Sequence, residues 1–596
     1  MKGFSFLKKV MPFLAICVIT LWSCQKSIDD FGISEDQIPD LTTKVNAAVS
    51  GFVTDENNTA MSGATVTVGT RTTSTDQYGY FVVKNVDVVK TAAVVTVSKP
   101  GYFHGIKTFI AAQGKSAFFR IKMIPKNNAG AINASSGGNV TLTNGMIVAL
   151  PSNAVVNAST GVTYNGMVNV AAYWINPTSQ YVNAEMPGDL RGLNTTGAIK
   201  ALQSFGMVAV ELTGASGELL QIASGQKATV TFPIPTSLTA TAPAEIPLWY
   251  FDEAIGLWKE EGVATKNGNN YVGEVSHFSF WNCDVPNNYV QFDCTILDAD
   301  NTPIPFAVVK ITDLSNPFNS RMGFTDSTGY VSGAVPDNAN LKMEVFTYQA
   351  CTSAAYAQNF TTTSVSISLG NIVIANTALN QSAVSGTVTD CNNNPVTSGS
   401  IIVLKDNQYF RYGINSNGTY SFSSLLCSGP TTVTLIATDA VTAQQSTPVT
   451  ATFANGPVTI PNIQACGIST AQFMNYTING TSYTYASPAD SFYMVVNQQI
   501  VPSRIEISAE QFGLGQSGFG TIGFDATGVA VGSSQAVSLF YCSQISDTTS
   551  FVSPFNVNIT EYGNIGEFIA GDFAGTINGM TTTYIVSGNF RVRRRQ

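Results

Sequence analysis

Apolar and polar residues alternate in short runs along most of the chain after residue 46. Residues 63–68 (GATVTV) and 399–404 (GSIIVL) are two such runs, and turn-forming residues flank them. A period of two buries one face of a strand, and Asp, Asn and Gly favour turns because they tolerate positive φ or bond to their own backbone. No long amphipathic helical stripe follows residue 24. The pattern predicts an all-β chain of several β-sandwich modules in tandem, with a β-rich domain at the C-terminus.

One set of strand and turn signals occurs three times. Residues 49–55 (VSGFVTD) open the first copy, and residues 75–81 (TDQYGYF) close it. A second clear copy opens with residues 384–390 (VSGTVTD) and closes with residues 417–422 (NGTYSF). A looser copy between them ends on residues 325–330 (TDSTGY). The repeats therefore predict three modules of one fold.

The opening V-S-G-x-V-T-D and the ending T-D-x-x-G-x-F resemble the carboxypeptidase regulatory-like domain, a transthyretin-like β-sandwich. The resemblance covers residues 47–125 and 383–465 and, in a looser form, 289–376. It implies a stable spacer or binding module of a kind common on bacterial surfaces, in a fold class also used for carbohydrate binding. It implies no peptidase activity, because the catalytic domain of such enzymes is a separate unit.

These patterns divide the chain into seven predicted parts. They are a lipoprotein signal peptide at 1–24, a polar tether at 25–46, domain 1 at 47–127, domain 2 at 128–286, domain 3 at 287–378, domain 4 at 379–466 and domain 5 at 467–596. Domains 1 and 4 are the regulatory-like sandwiches, and domain 3 is their degenerate copy. Domain 2 is rich in tryptophan, and domain 5 is the C-terminal β-domain.

The first 24 residues have the features of an export signal. Lys2, Lys8 and Lys9 form a basic start, and the apolar run 11–21 is too short to span a bilayer. The ending, with Cys24 after a small residue, resembles the lipobox of bacterial lipoproteins. It implies a mature chain that begins at a lipidated Cys24 and is tethered to a membrane by acyl chains. An ordinary cleaved signal with a chance cysteine is the alternative.

Acidic residues follow the cysteine, from Asp29 to Asp40. In the Bacteroidetes, acidic residues soon after the lipidated cysteine resemble a signal for display on the outer face of the outer membrane. We therefore expect an outer-membrane protein, lipid-anchored and exposed at the cell surface. Its expected partners are the membrane, through the anchor, and glycans or envelope proteins.

Composition narrows the function classes. Charged residues are 11 % of the chain, against about 25 % in typical globular proteins, so uncharged polar residues must supply much of the surface. The formal net charge is −9, which gives no overall attraction for nucleic acid. No segment after the signal offers the roughly 18 uninterrupted apolar residues of a membrane-spanning helix.

Domain 2 holds all four tryptophans of the mature chain. Two of them, Trp249 and Trp258, lie in a predicted hairpin around residues 253–256, in a strand pair with two apolar faces. They could form an aromatic platform that stacks on sugar rings, or they could fill the core, which we favour because each ring buries a large area. Part of domain 2 is similar to an extracellular β-domain of cartilage intermediate layer protein and its relatives, a similarity that transfers no function. The residues that carry it are 232–235 (FPIP), 247–252 (PLWYFD), 256–258 (GLW) and 276–282 (SHFSFWN).

Cysteine usage fits an exported protein, in which disulfides can persist. Apart from Cys17 in the signal and Cys24, the cysteines are Cys283, Cys294, Cys351, Cys391, Cys427, Cys466 and Cys542. They lack close C-x-x-C pairs, which argues against a zinc knuckle, and their odd number leaves at least one thiol free or intermolecular. Connectivity cannot be derived from the sequence, although Cys391 with Cys427 would be an economical pair within one module.

Catalytic motifs are missing from the sequence. The two histidines, His104 and His277, lie in no H-E-x-x-H motif, and no G-x-S-x-G elbow accompanies them. We therefore predict no catalytic residues, no metal site, no cofactor and no enzyme activity. A two-carboxylate glycosidase cannot be rejected from counts of acidic residues, so a glycan-acting enzyme with its site in 128–286 or 467–596 is the alternative.

Domain 5 carries two Asn-Gly pairs, at 479–480 and 578–579, and each is predicted to form a hairpin turn. The chain ends on the basic residues 591–595 (RVRRR). We expect a final strand whose charges keep an exposed edge soluble, with contact to anionic headgroups or polysaccharide as the alternative. The predicted function is that of a non-enzymatic, lipid-anchored scaffold or adhesin-like protein, with carbohydrate binding as a further expectation.

Overall fold

The computed structural model describes residues 38–349, 351–487, 490–497, 501–511, 518–545, 548–564 and 567–594. The predicted signal peptide with Cys24 and most of the tether lie outside these residues. The described chain folds almost entirely into β-strands, which form separate sheets in succession along the sequence. The all-β class with several sandwich modules in tandem is therefore confirmed.

Domain 1 is a sandwich of two sheets. Its strands are β1 (Lys44–Thr54), β2 (Thr65–Val68), β3 (Arg71–Ser74), β4 (Tyr80–Val89), β5 (Ala93–Ser98), β6 (Gly105–Phe109) and β7 (Ser116–Lys122). The sheets have the orders β4-β1-β7 and β3-β2-β5-β6, and β1 pairs with β7 in parallel. Both sheets point their alternate apolar residues into one core, in which Val49 and Val66 meet. Strand β1 starts three residues inside the predicted tether.

Domain 2 is built on one sheet of 13 strands. The strands are β8 (Asn128–Asn133), β9 (Gly138–Thr141), β10 (Ile147–Leu150), β11 (Val155–Asn157), β12 (Met167–Ile175), β13 (Arg191–Leu193), β14 (Ile199–Thr213), β15 (Leu219–Ile222), β16 (Ala228–Pro233), β17 (Glu245–Asp252), β18 (Leu257–Asn267), β19 (Asn270–Val275) and β20 (Phe280–Asn287). A short helix, α1 (Val182–Glu185), and a 3-10 turn at Thr236–Leu238 interrupt them. The predicted hairpin is β17–β18, and β17 is internal because β20 pairs with its other edge.

Domain 3 repeats the topology of domain 1. Its elements are β21 (Tyr289–Asp298), β22 (Val308–Asp313), β23 (Ser320–Phe324), β24 (Tyr330–Pro336), β25 (Asn340–Phe346), β26 (Tyr356–Thr361), β27 (Ile367–Ile374) and a 3-10 turn at Asn376–Ala378. The sheet orders are β24-β21-β27 and β23-β22-β25-β26. The first strand, β21, again pairs in parallel with the last strand, β27. The looser sequence copy is therefore a true structural copy.

Domain 4 has the same plan with extra short strands. Its strands are β28 (Asn380–Thr389), β29 (Gly399–Lys405), β30 (Gln408–Gly413), β31 (Thr419–Leu426), β32 (Thr431–Asp439), β33 (Gln444–Gln445), β34 (Val449–Phe453), β35 (Gly456–Thr459) and β36 (Ile463–Gln464). One sheet has the order β31-β28-β35, with β36 also parallel to β28, and the other contains β30-β29-β32-β33. The next strand, β37 (Ile468–Ser469), also joins this second sheet through β33.

The V-T-D end of the motif builds the same turn in all three copies. Asp55 Oδ1 accepts hydrogen bonds from the backbone N–H groups of Asn57 and Thr59, at 2.9 and 2.8 Å. Asp298 and Asp390 accept the corresponding pairs of bonds at their own turns. An aspartate that bonds two and four residues ahead fixes the turn, so the signature is explained by local folding.

The T-D-x-x-G ending builds a second turn. Asp76 Oδ1 accepts from the N–H groups of Tyr78 and Tyr80 at 2.9 and 3.0 Å, and Gly79 has a φ of 72°. Asp326 forms the same pair of bonds in domain 3. Domain 4 has an asparagine in place of this aspartate, but keeps a glycine with positive φ at the same point.

The described residues of domain 5 form one antiparallel sheet of nine strands. They are β38 (Phe473–Ile478), β39 (Thr481–Ala486), β40 (Asp490–Asn497), β41 (Arg504–Gln511), β42 (Phe519–Asp525), β43 (Ser534–Cys542), β44 (Thr548–Tyr562), β45 (Phe568–Gly579) and β46 (Thr583–Arg593). Their order is β39-β38-β46-β45-β44-β43-β42-β41-β40. Asn479 and Gly480 form the predicted turn with φ values of 49° and 84°. The turn predicted at 578–579 is wrong, because both residues lie within β45 and Asn578 pairs with Thr583.

The final strand is not an edge. Strand β46 lies between β38 and β45, so the predicted role of its arginines in protecting an edge is wrong. Arg591 instead pairs with Glu561, with 2.7 Å between Nε and Oε2, and its guanidinium lies 3.5 Å from the centroid of the Phe568 ring. The charge is held by an ion pair and an aromatic face on the sheet.

The domains pack against one another, and domain 1 contacts domains 2 and 3. Thr108 Oγ1 of domain 1 donates to the Gly256 carbonyl of domain 2 at 2.5 Å. Ser116 Oγ of domain 1 donates to Asp326 Oδ2 of domain 3 at 2.9 Å. The latter is the second oxygen of a turn aspartate, so a residue that fixes a turn also joins two domains.

Domain 1 also contacts domains 4 and 5. Arg411 Nη1 of domain 4 forms an ion pair with Asp76 Oδ2 at 2.7 Å, which again uses the free oxygen of a turn aspartate. Arg593 Nη1 of domain 5 donates to Gln77 Oε1 at 3.2 Å. One end of domain 1 therefore meets the two C-terminal domains.

Candidate functional site

The two tryptophans considered as a sugar platform lie on the paired strands β17 and β18. Both Trp249 and Trp258 have 0 % of their surface exposed. Trp249 Nε1 donates to the Asp284 carbonyl at 3.2 Å, and the Trp258 ring packs edge-on against Phe251 with 5.3 Å between centroids. Neither indole has a face open to solvent. The sugar-platform alternative is therefore wrong for both residues, and they belong to the core, as we favoured from the sequence.

Their burial comes from a core that domains 1 and 2 share. The apolar cluster around the two rings combines Phe103, Ile106 and Ile124 of domain 1 with apolar residues of domain 2. A glycine at 192 lets the backbone approach the indole of Trp249, because an added Cβ would lie 2.9 Å from its ring carbons. An interface of this kind cannot be read from strand alternation within one domain.

The remaining tryptophans are also part of the fold. Trp281 is 0 % exposed, and its Nε1 donates to the His277 carbonyl at 2.9 Å. The His277 ring packs between Tyr250 and Trp281, with centroid distances of 4.7 and 5.1 Å, and this burial lowers its pKa. Trp174 is half-buried on β12. His277 therefore serves as a packing residue.

The disulfides differ from the predicted pair. Cys351 bonds to Cys427, and Cys391 bonds to Cys466. The pairing of Cys391 with Cys427 is therefore wrong, although both residues are in disulfides. The first bond joins a loop of domain 3 to domain 4, a partner outside the module that sequence spacing could not suggest. Cys283, Cys294 and Cys542 are buried thiols.

A cleft with a volume of about 300 Å³ lies where domains 1, 2, 3 and 4 meet. We call it the tyrosine–amide cleft, after the residues that dominate its lining: Tyr78, Tyr181, Tyr409, Asn58, Gln180, Gln349, Asn407 and Gln408. Its volume is at the lower end of the range of about 300–1,000 Å³ typical of small-molecule sites. Aromatic rings and amides from separate domains thus converge on one concave surface.

Two tight turns place the amides of the cleft. Asn58 lies at the V-T-D turn of domain 1 with a φ of 63°. Asp406 and Asn407, with φ values of 48° and 58°, form the two-residue turn between β29 and β30. Positive φ at both central residues is the turn type that matches the twist of a hairpin. Tyr409 follows in β30, so its position is tied to this turn.

The rings of the cleft are held by packing and by cations. Tyr78 and Tyr409 pack with 5.3 Å between centroids, and burial raises the pKa of Tyr78 to about 12. Lys122 Nζ lies 3.9 Å from the centroid of the Tyr181 ring. The Tyr348 hydroxyl donates a hydrogen bond to Asp406 and so holds the turn at Asp406 and Asn407 in place. Tyr78 is therefore a neutral hydrogen-bonding group near neutral pH.

Two basic side chains pack on aromatic rings at the cleft, Arg120 in its lining and Lys405 behind it. Lys405 is 2 % exposed, lies 4.0 Å above the Tyr348 ring, and has its pKa lowered to about 7 by burial. Arg120 donates to the Tyr409 carbonyl at 3.2 Å and lies 4.9 Å from the Phe410 centroid. These contacts fix strand β30 against domain 1.

The lining also contains Arg120, Lys122 and Asp406, and its amides and tyrosine rings suit recognition of a hydroxyl-rich ligand. Tyrosine faces can stack on the apolar face of a sugar ring, and amides can donate to and accept from its hydroxyls. Asp406 is the carboxylate among the lining residues, whereas glycoside hydrolysis requires a pair on either side of the bond. Within the described residues, no group of three or more His, Cys, Asp or Glu could hold a metal ion.

No sequence motif marks this cleft as a site, although local signals for its turns are present. The Asp-Asn pair at 406–407 between two alternating runs is a hairpin signal, and Tyr78 lies inside the T-D-x-x-G motif. Nothing in the sequence shows that residues so far apart in the chain converge in space. Gln77 and Gln445, for example, form a hydrogen bond across a separation of 368 residues. The other histidine, His104, bonds Glu253 across the interface of domains 1 and 2.

Comparison with known proteins identifies one domain. The family described as the carboxypeptidase regulatory-like domain (CarboxypepD_reg) matches residues 48–123. Human cartilage intermediate layer protein 2 is 29 % identical over 121 residues, which are 20 % of this chain and only 10 % of that protein. No helix among the described residues is long and apolar enough to cross a membrane.

Solved structures give weaker similarities. A Streptococcal ancillary pilin shares 11 % identity and covers 39 % of this chain and 96 % of its own, with a TM-score of 0.14. BcpA, the major pilin subunit of Bacillus cereus, shares 10 % identity, and the match covers 71 % of this chain and 100 % of BcpA, with a TM-score of 0.12. These scores are too low to relate the chain to pilins. What the comparisons establish is that residues 48–123 form a carboxypeptidase regulatory-like domain.

Proposed function

We propose that this protein is a non-enzymatic, lipid-anchored scaffold of the cell surface that binds carbohydrate in the tyrosine–amide cleft. The observation that carries the proposal is the convergence of three tyrosines and five amides from domains 1, 2, 3 and 4 on one cleft. A site shared by several domains requires those domains to be fixed relative to one another. The shared tryptophan core and the contacts of domain 1 supply that rigidity.

The anchoring part of the proposal rests on the sequence. Cys24 at the end of the export signal would carry the acyl chains, and display on the outer face of the outer membrane would bring the cleft to glycans or envelope proteins. One acyl chain gives marginal membrane binding, and a second makes it stable, which suits the several chains of a bacterial lipoprotein. Labelling with a fatty-acid analogue should mark the native chain and leave Cys24→Ala unmarked; a labelled variant would reject the anchor.

A glycan array probed with the soluble chain from residue 38 tests the binding part. We expect Tyr181→Ala and Gln180→Ala to weaken the best glycan at least tenfold, because the first removes a stacking face and the second an exposed amide. Tyr541→Ala, an exposed tyrosine of domain 5 away from the cleft, is the matched control and should bind as the native chain does.

Two results would reject carbohydrate binding at this cleft. One is the absence of any glycan bound by the native chain at millimolar concentration. The other is equal loss of binding in the cleft variants and in the Tyr541→Ala control. Chromatography of the bound glycan after long incubation addresses the enzyme alternative, because shortened products would contradict the non-enzymatic proposal.

A further inference from the structure

A second cavity lies elsewhere, between domains 1, 2 and 3, with a volume of about 170 Å³. We call it the Gly333 cavity, since this glycine of strand β24 lies in its wall. It extends into domain 3 itself, because Phe292, Val309 and Ile311, which belong to the sandwich core, also line it. The cavity is therefore a gap in the packing of one sandwich that opens toward its neighbours.

The three copies of the module show how the gap arises. The first inward position after the T-D-x-x-G turn holds Phe81 in domain 1 and Tyr420 in domain 4, but Val331 in domain 3. This loss of volume is partly compensated. Cys294 pairs across the sheet with Val331, where domain 1 has a glycine, Gly51, beneath the Phe81 ring.

The second inward position is compensated only in part, because Phe292 pairs with it across the sheet where domains 1 and 4 have Val49 and Val384. It holds Val83 in domain 1 and Phe422 in domain 4, and each packs in its sandwich core. Domain 3 has Gly333 at the same register, and a Cβ placed on it would have no heavy atom within 4 Å. A cavity of 150 Å³ holds benzene, so this one accommodates a six-carbon ring or a short alkyl chain.

The charges around the cavity are mostly positive. Among the described residues, Lys115, Arg120 and Arg321 line it together with one carboxylate, that of Asp189. A fourth basic residue, Lys107, has its pKa lowered to about 7 by burial, and its Nζ donates to the carbonyls of Asn183 and Met186. The carboxylate is already neutralised, since Arg191 Nη2 lies 2.7 Å from its Oδ2. The chain as a whole has a net charge of −9, so this local excess of positive charge runs against the composition.

We propose that the Gly333 cavity binds a small anionic amphiphile, a carboxylate with an apolar body of about six carbons. The apolar body would occupy the space that Val83 and Phe422 fill in the sister domains. The carboxylate would lie toward the cationic wall, where Lys115 is the exposed residue and has its Nζ 5.0 Å from the Tyr330 ring centroid. Arg120 lines both this cavity and the tyrosine–amide cleft, but the proposal does not depend on glycan binding.

Titration of the soluble chain with three probes of one chain length tests the proposal. Hexanoate should bind at one site at least fivefold more tightly than 1-hexanol, and hexylammonium should bind most weakly. Gly333→Val, which restores the residue of domain 1, should weaken hexanoate at least tenfold and raise the melting temperature. Lys115→Gln should lower the ratio of hexanoate to hexanol affinity at least twofold.

Gly413→Val is the matched control, because this glycine also faces open space but lies in domain 4, outside the cavity. It should leave hexanoate affinity unchanged within twofold. If Gly333→Val does not fold, Gly333→Ala is measured instead and should weaken binding several-fold. Absence of hexanoate binding to the native chain, native affinity in the Gly333 variant, or hexylammonium binding as tight as hexanoate would each overturn the proposal.

Discussion

Trp258 stabilises the protein through the area that it buries between domains 1 and 2. Replacement by alanine leaves a large cavity, so Trp258→Ala should lower the free energy of unfolding by about 3–5 kcal/mol in chemical denaturation. Phe318→Ala, at a residue 47 % exposed, should stay within about 0.5 kcal/mol of the native value. Equal small losses in both variants would show that the Trp258 indole is not in the core.

His104 makes a pH-dependent contact between the same two domains. Its pKa is raised because its Nδ1 shares a hydrogen bond with Glu253, at 2.8 Å, and the pair is about half exposed. A raised histidine pKa gives stability that is fully present below pH 6.5 and is lost as the pH rises through the higher folded value. The melting temperature of the native chain should fall relative to His104→Ala across that window; parallel pH curves would contradict this.

Single residues also show where sequence reasoning stops. The rings at 249 and 258 were correctly favoured as core, because a strand with two apolar faces must be covered on both. The identity of the cover, Phe103, Ile106 and Ile124 of another domain, was not predictable, since alternation reports burial without naming the partner. The same limit hid the tyrosine–amide cleft.

At the scale of strands and turns, Gly79 is required by both conformation and space. It has a φ of 72°, and an added Cβ would collide with the Val53 carbonyl oxygen. Gly101 has a similar φ of 81° but open space around it. Gly101→Ala should cost about 1–2 kcal/mol, and Gly79→Ala about 1–3 kcal/mol more, by thermal or denaturant unfolding. Equal costs would mean that the turn shifts to accept the methyl group.

Strands were easier to predict than their neighbours in the sheet. The three modules, the β17–β18 hairpin and the turn at Asn479 follow from local sequence, because turn chemistry and period-two burial act over a few residues. The position of β46 does not, since its partner β38 lies more than 100 residues earlier and inserts it inside the sheet. An arginine-rich last strand therefore looked like an edge.

For the whole molecule, the Cys351–Cys427 bond ties domain 3 to domain 4. Non-reducing peptide mapping should recover this pair and Cys391–Cys466, and no peptide linking Cys391 to Cys427. The bond closes a loop of 76 residues, so Cys351→Ser with Cys427→Ser should lose about 4–5 kcal/mol of stability. A mapped Cys391–Cys427 peptide would contradict the structure.

The shared core predicts that domains 1 and 2 unfold together. Domain 1 alone would expose Phe103, Ile106 and Ile124, so fragment 47–127 should melt at a lower temperature than fragment 47–286. Fragment 47–286 should show one cooperative transition by calorimetry and circular dichroism. Two separate transitions, or a domain 1 fragment as stable as the pair, would show that the interface contributes little.

The second oxygens of the turn aspartates restrict how the repeated modules can be exchanged. Asp326 of domain 3 accepts a hydrogen bond from Ser116 of domain 1, and Asp76 of domain 1 forms an ion pair with Arg411 of domain 4. Domain 4 has an asparagine at this place, so it has no second carboxylate oxygen for a contact of the same kind. Copies that share a fold are thus not interchangeable. A duplicated or transplanted module would form its own turn, but it would lack the residue of the neighbouring domain that its aspartate contacts. One oxygen of each aspartate fixes the turn that the two copies share, and the other makes the contact in which they differ.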